Sequence, residues 1–166
     1  MFDRFFPDAC ADSTYEIDFD QLYRDGYRGI IFDIDNTLVP HGAPADARAR
    51  ALFAHLKELG YDCCLLSNNQ FERVSSFNNE VQVQFIENAH KPSRTSYLLA
   101  MERMHTDTTN TIFVGDQLFT DVWGAKRTGI RNILVKPIHP KEEIQIVLKR
   151  YLERIVLFFY RRKAGK

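Results

Sequence analysis

Several features that would assign this chain to a class at once are scarce in it. It has three cysteines, Cys10, Cys63 and Cys64. The number is odd, and two of them are adjacent inside an apolar run. That argues against a disulfide framework and for a reducing compartment. The spacing is not that of a zinc site, so Cys63 and Cys64 read as small buried hydrophobes. An excess of one charge is also missing. Lys and Arg total 22 and Asp and Glu total 22, which gives no general electrostatic reason to bind nucleic acid, and none is expected as a partner. No apolar run approaches the ~20 residues that a membrane-spanning helix needs. The opening MFDRFFPDAC is too short and too broken by charge and proline for a signal peptide, so a cytoplasmic location is expected.

What is present is the material of one globular domain. The chain has 166 residues, 45% of them apolar, enough for a full core. After residue 28 two textures alternate. Short apolar runs (RGIIFDID, YDCCLLSNN, VQVQFIENA, TIFVGD, RNILVKP) read as buried strands. Between them lie stretches with helical spacing. The first, PADARARALFAHLKELG, has Pro44 near its start and Gly60 at its end, the usual asymmetry of a helix. QFERVSSFNNE, SRTSYLLAMERMH (with Ser93 as a cap) and LFTDVWGAKRTG follow, and KEEIQIVLKRYLERIVLFFYRR closes the chain. Strands alternating with helices imply right-handed crossovers and a parallel sheet covered on both faces. The expectation is an α/β fold: a Rossmann-like, doubly wound parallel sheet of about five strands, without a cap domain. Residues 1–28 are expected to be an extension packed on the core, and residues 29–166 a single domain with a C-terminal helix.

Ligands of such folds bind at the carboxyl ends of the strands, and the polar residues fall there. The first strand ends in Asp33 and Asp35, the second in Ser67, Asn68 and Asn69. Lys91 follows the third, and GDQLFTD after the fourth carries Asp116 and Asp121. Any one of these is an ordinary loop residue; together they call for a common cause. Carboxylates brought to one sheet edge repel unless a cation joins them. Oxygen ligands without His or Cys favour Mg²⁺, which commonly takes a substrate phosphate as a further ligand. Ser67 and Lys91 supply a hydroxyl and a point positive charge for phosphate oxygens. Asp33 is then a candidate nucleophile through an aspartyl phosphate. Asp35, two residues on and on the same face, is the candidate acid and base.

DIDNT, SNN, KPS and GDQLFTD, in that order, resemble the four motifs of the haloacid dehalogenase-like (HAD) phosphohydrolases: D-x-D-x-[TV], Ser/Thr, Lys and G-D-x-x-x-D. The resemblance implies a Rossmann-like fold and Mg²⁺, with Asp33 as nucleophile and Asp35 as acid and base. It implies phosphoryl contacts from Ser67 and Lys91, with Thr37 and Asn68 of the same motifs beside them. It also implies metal ligation by Asp33, Asp116 and Asp121, and by Asp35 through its carbonyl. Asn36 stands where many members of the family carry Gly, so a somewhat different turn is expected there. The segment FFPDACADSTYEIDFDQLYRDGYRGIIFDIDNTLVP, together with VGDQLFTDVWGAKRTGI, is similar to the bacterial subfamily IIIA group related to phosphatidylglycerophosphate phosphatases. That implies a lipid phosphate as substrate. A soluble sugar, nucleotide or 3′-end phosphate is the alternative. A capless site suits a substrate large enough to cover it.

A receiver-type signalling domain also uses an acidic pair, a phospho-acceptor Asp, a Thr or Ser and a Lys. There the acceptor sits on the third strand, whereas here that strand ends FIENAH and two acids follow the Lys. A binding protein that has lost catalysis finds no support, since no catalytic residue is missing. From Lys149 onward the chain has seven Lys or Arg and one acid, Glu153. IVLFFY followed by RRK reads either as an interfacial anchor on the inner face of a membrane, or as a closing helix whose basic end complements its dipole. His41, His90 and Arg94 lie near the expected site without an assigned role, and Phe119 and Trp123 at helical spacing read as core.

Overall fold

The structure, a computed structural model, describes residues 2–139 and 144–165. Six strands form one sheet: β1 (Ala9–Ala11), β2 (Gly29–Phe32), β3 (Asp62–Leu66), β4 (Gln84–Ile86), β5 (Thr111–Gly115) and β6 (Arg131–Val135). Their order is β1-β6-β5-β2-β3-β4, and every pairing is parallel. The helices are α1 (Phe19–Arg24), α2 (Ala47–Leu59), α3 (Phe71–Val81), α4 (Arg94–Met104), α5 (Trp123–Thr128) and α6 (Ile144–Lys163). The expected start of the last helix, residues 141–143, lies outside the described residues.

Alternation along the strands explains the two covered faces. Ile30, Phe32, Cys63 and Leu65 point into a core with Leu56, Val74 and Phe77 of α2 and α3. Ile31, Cys64, Leu66 and Phe113 point the other way, against Tyr97, Met101 and Ala125 of α4 and α5. Cys63 and Cys64 are buried and free of disulfides, one on each face. The chain winds outward from β2 to β4 and then returns to the other side of β2 with β5. The strand order therefore reverses between β2 and β5, and the crevice lies beyond their carboxyl ends. Only α2 and its flanking loop join β2 to β3, and only α3 joins β3 to β4, so the crevice has no cap.

The sheet has one strand more than the sequence pattern suggests. Residues 9–11, Ala-Cys-Ala, carry no β-branched or aromatic signal, and a three-residue edge strand is too short for periodicity. Tertiary bonds hold it: Asp8 N–H donates to Asn132 Oδ1 (3.1 Å), and Asp8 Oδ2 accepts from the Asn132 backbone N–H (3.1 Å) and Nδ2 (2.8 Å). Asp46 caps α2 by accepting from Ala49 N–H (2.8 Å), and Gly60 ends it at φ +101°. Ser93 stands at the N-cap of α4, but its hydroxyl makes no capping bond. Phe119 and Trp123 are half-buried, and both pack edge-on against Phe5 from the N-terminal segment.

Candidate active site

The register of the three central strands aligns their ends. Phe32 pairs with Val114 on one side and Leu65 on the other, so Asp33 lies level with Gly115 and Leu66, with Asp116 and Ser67 one residue beyond. Asp33 extends the ladder by donating its N–H to Val114 O (3.0 Å), and Ser67 does the same toward Ile86 (3.1 Å). Lys91 arrives from the loop after β4, held by its N–H donating to Asn68 Oδ1 (2.7 Å). Asp121 arrives on a π-helical turn, Leu118–Val122, where an unbroken α-helix was expected from the sequence. Such turns recur at functional sites because the inserted residue re-aims a side chain. Gly115 makes room for it: a Cβ there would lie 2.6 Å from Asp121 Cγ.

These side chains form one buried network. Lys91 Nζ donates to Asp33 Oδ1 and to Asp121 Oδ1, each at 2.7 Å. Thr37 Oγ1 lies 3.3 Å from Asp33 Oδ2 and 3.2 Å from Asp116 Oδ1, so its single proton serves one of them. The other oxygen of Asp121 accepts the backbone N–H groups of Asp116 and Gln117, both at 3.1 Å. Asp33, Asp116 and Asp121 each bring one oxygen within 4.8 Å of the other two. Burial pushes the Asp33 carboxyl well above its ordinary value, offset in part by Lys91. Burial likewise lifts Asp116 to about 6 against the opposing Arg150 guanidinium. Burial alone would lower Lys91, but the carboxylates of Asp121 and Asp33 outweigh it, so the ammonium is raised and stays charged. Acids lifted in this way are short of positive charge. An all-oxygen cluster of three carboxylates therefore fits a hard divalent cation such as Mg²⁺, held by Asp33, Asp116 and Asp121.

Asp35 is oriented differently. Its oxygens accept from Gly42 N–H (2.7 Å), Asn69 Nδ2 (2.6 Å) and Arg73 (2.9 Å), and its carboxylate is not one of the clustered three. Asn36, at φ +62°, turns the chain back; Asn accepts the left-handed conformation more readily than most residues. Its carbonyl and side-chain oxygen receive the N–H groups of Ile138 and His139, so the motif loop is tied to the segment after β6. Ser67 is buried, and its Oγ accepts the N–H of Asn69 (3.1 Å). His41 is exposed, with Nδ1 3.9 Å from Asp35, and His90 and Arg94 are exposed nearby.

The sequence pattern does not reveal two further contributors. Arg150 of α6 reaches the crevice and donates to both the carboxylate and the backbone carbonyl of Asp116. Glu153 orients it at 3.1 Å while accepting Leu118 N–H at 2.8 Å. Neither lies in a recognisable motif, and in the sequence Arg150 is one of many cations on a basic helix. Thr14 and Tyr15 brace the loop by donating to the carbonyls of Thr37 (2.8 Å) and Leu38 (2.6 Å).

A parallel sheet with Asp33 directly after β2 at its switch point, a buried Asp-Lys-Asp network and no cap defines a class. The chain belongs to the haloacid dehalogenase-like family and is a phosphatase of HAD type. The family model for HAD-hydrolase-like proteins matches residues 88–143. The chain is 34% identical over 161 residues to the Probable phosphatase YqeG of Bacillus subtilis, covering 96% of this chain and 94% of that one. It is 28% identical over 178 residues to phosphatidylglycerophosphate phosphatase 1, chloroplastic/mitochondrial, of Arabidopsis thaliana, covering 96% of this chain and spanning 49% of that relative's length. Among solved structures it resembles the cobalt-bound deoxy-D-mannose-octulosonate 8-phosphate phosphatase of Haemophilus influenzae. That match has a TM-score of 0.52 at 11% identity, over 68% of this chain and 80% of the other, and is a likeness of fold.

Proposed function

We propose that the chain is a Mg²⁺-dependent phosphomonoesterase that removes the terminal phosphate of phosphatidylglycerophosphate. One observation carries the chemistry: the Asp33 carboxylate stands at the switch point, 2.7 Å from Lys91 Nζ, in a cluster with Asp116 and Asp121 that fits a divalent cation. The cation, when bound, neutralises charge on the phosphoryl oxygens. An Asp33 oxygen attacks phosphorus as the ester P–O bond breaks, giving an aspartyl phosphate. Asp35 gives a proton to the leaving oxygen and later takes one from the attacking water. To do so it exchanges one of its present donors, Asn69 or Arg73, for that oxygen. Lys91, Thr37, Ser67 and Asn68 hold the phosphoryl oxygens, and Asp121 steadies Lys91 and the Asp116 loop.

The lipid assignment is supported by the Arabidopsis relative and by the outer face of α6. At about 100° per residue, Leu148, Tyr151, Leu152, Ile155, Phe158 and Phe159 form one exposed apolar stripe. It lies opposite the face that buries Glu153 and Val156; Arg154 and Arg161 flank it on one side and Lys163 on the other, and Arg162 closes its C-terminal end. An apolar stripe between basic margins suits the boundary of an anionic bilayer, which supports a peripheral contact.

The test is phosphate release from an aryl phosphate and from phosphatidylglycerophosphate micelles, each with Mg²⁺, with EDTA and with Asp33→Asn. The expected result is Mg²⁺-dependent release that prefers the lipid and falls on the order of 10³-fold or more in Asp33→Asn. Turnover of the aryl phosphate alone would sink the lipid assignment, and undiminished turnover by Asp33→Asn would sink the nucleophile.

A further inference from the structure

A cleft of about 1190 Å³ opens beside Asp116 and runs between α6 and the β1–β6 edge of the sheet. Cys10 and Leu134, paired across β1 and β6 on one face, form part of its sheet wall, and Leu157 and Tyr160 part of its helix wall. Its size exceeds the roughly 300–1,000 Å³ usual for a small-molecule pocket. A sugar phosphate seated at Asp33 would leave this apolar space unfilled. The charges in it are arranged by distance from the site. Arg150 lies nearest, bonded to Asp116 and Glu153. Arg154 is one turn further, about 6 Å along the helix axis. Asp8 and Asp12, on the opposite wall, are already paired with Lys126 and Lys136. Arg154 and Arg161 have no carboxylate partner among the described residues, so the cleft beyond Arg150 presents positive charge. Its helix wall adjoins the exposed apolar stripe of the same helix, since Tyr151 belongs to both.

We propose that this cleft is a second subsite, taking the phosphodiester and diacylglycerol side of an anionic phospholipid whose terminal phosphate sits at Asp33. The inference rests on the phosphatase reading and extends it. Arg154 meets the phosphodiester, one short polyol bridge away from the phosphate being cleaved. The apolar walls receive the glycerol backbone and the first carbons of the acyl chains. The remainder of the chains passes toward the stripe on α6 without crossing water. A soluble phosphomonoester has neither the second anion nor the apolar body, so it gains nothing from the cleft.

The test uses the full chain and short-chain lipids below their micelle concentration, which removes any effect of bilayer binding. Binding of dioctanoyl phosphatidylglycerol, which lacks the terminal phosphate, is measured by calorimetry for wild type, Arg154→Glu and Cys10→Trp. Arg154→Glu reverses an exposed charge, and Cys10→Trp fills the cleft from the short edge strand, where Cys10 shares the face of Leu134; melting curves verify the fold of both. The ratio of kcat/KM for dioctanoyl phosphatidylglycerophosphate to that for an aryl phosphate is measured in parallel. The expected result is saturable binding that weakens at least tenfold in both variants, with the ratio falling by a similar factor through KM. Binding that neither variant changes, or no binding by wild type, overturns the subsite. Equal losses on lipid and aryl phosphate in the folded variants overturn it as well. Binding that responds to both variants in a protein without phosphatase activity keeps the subsite and overturns the phosphatase reading instead.

Discussion

At the scale of single residues, the site is governed by the burial of acids. Asp116 shows the consequence most simply. Its carboxyl rises from 3.8 to about 6, with burial the leading cause. A folded-state value above the unfolded one means that the folded protein keeps a proton the unfolded chain has released. The stabilisation from this group is therefore complete below about pH 3.8 and is lost as pH rises through about 6. A divalent cation competes for the same oxygens. In EDTA, the melting temperature is expected to fall between pH 5 and pH 7 by more in wild type than in Asp116→Asn. Mg²⁺ is expected to restore it at pH 7 and to do little at pH 5. If wild type and Asp116→Asn show equal slopes in calorimetry, the buried carboxyl is not the source.

At the scale of elements, the strands that lead to the crevice were the ones written most clearly. β2, β3 and β5 are apolar runs long enough to show burial, and each is followed by a polar residue that stands at the crevice. Asp33, Ser67, Asp116 and Asp121 could be placed at the crevice because each follows such a run, and Lys91 because it comes shortly after the shorter β4. The sequence pattern missed what depends on contacts between distant segments. β1 is three residues long and owes its place to the Asp8–Asn132 clamp. The π-turn under Asp121 has helical composition, and only its packing against Gly115 distinguishes it. Arg150 shares its helix with other cations and gains its role from where α6 lies. Asn132→Ala tests the clamp. It removes two side-chain bonds from a fully buried residue, and the expected loss is about 1–3 kcal/mol. Hydrogen exchange at residues 9–11 is expected to quicken far more than exchange in β2 or β5. Uniform quickening across the sheet would mean that β1 is not held by this clamp.

At the scale of the whole molecule, α6 has two distinct faces. The inner one buries Val156 and rests on Leu118, Val122 and Leu134, with Leu157 and the N-terminal aromatics beside it. Phe2 stacks on Phe159, and Phe6 meets Tyr160 edge-on. Truncating the helix would therefore strip core as well as surface. Point changes on the outer face separate the two. Leu152→Asp with Phe158→Asp places charges where side chains are 49% and 57% exposed, so the melting temperature is expected to hold within a few degrees. Co-sedimentation with vesicles containing phosphatidylglycerol is expected to fall at least tenfold. Retention of vesicle binding by this double variant would exclude the stripe as the membrane contact.

The pairing of β1 with β6 also has a consequence in time. Among the described residues the first strand pairs only with the last, and Asp8 and Asn132 are 124 positions apart. At a ribosome's pace of about 5–20 residues per second, it waits about 6–25 s for its partner to be made. For that interval it is an unpaired strand beside a growing sheet. Its sequence suits the wait. Three residues, two of them alanine and with Asp8 and Asp12 at either end, offer little for another chain to pair with. The weak strand signal that hides β1 from sequence reading is then the same property that keeps the nascent chain from joining a neighbour before β6 arrives.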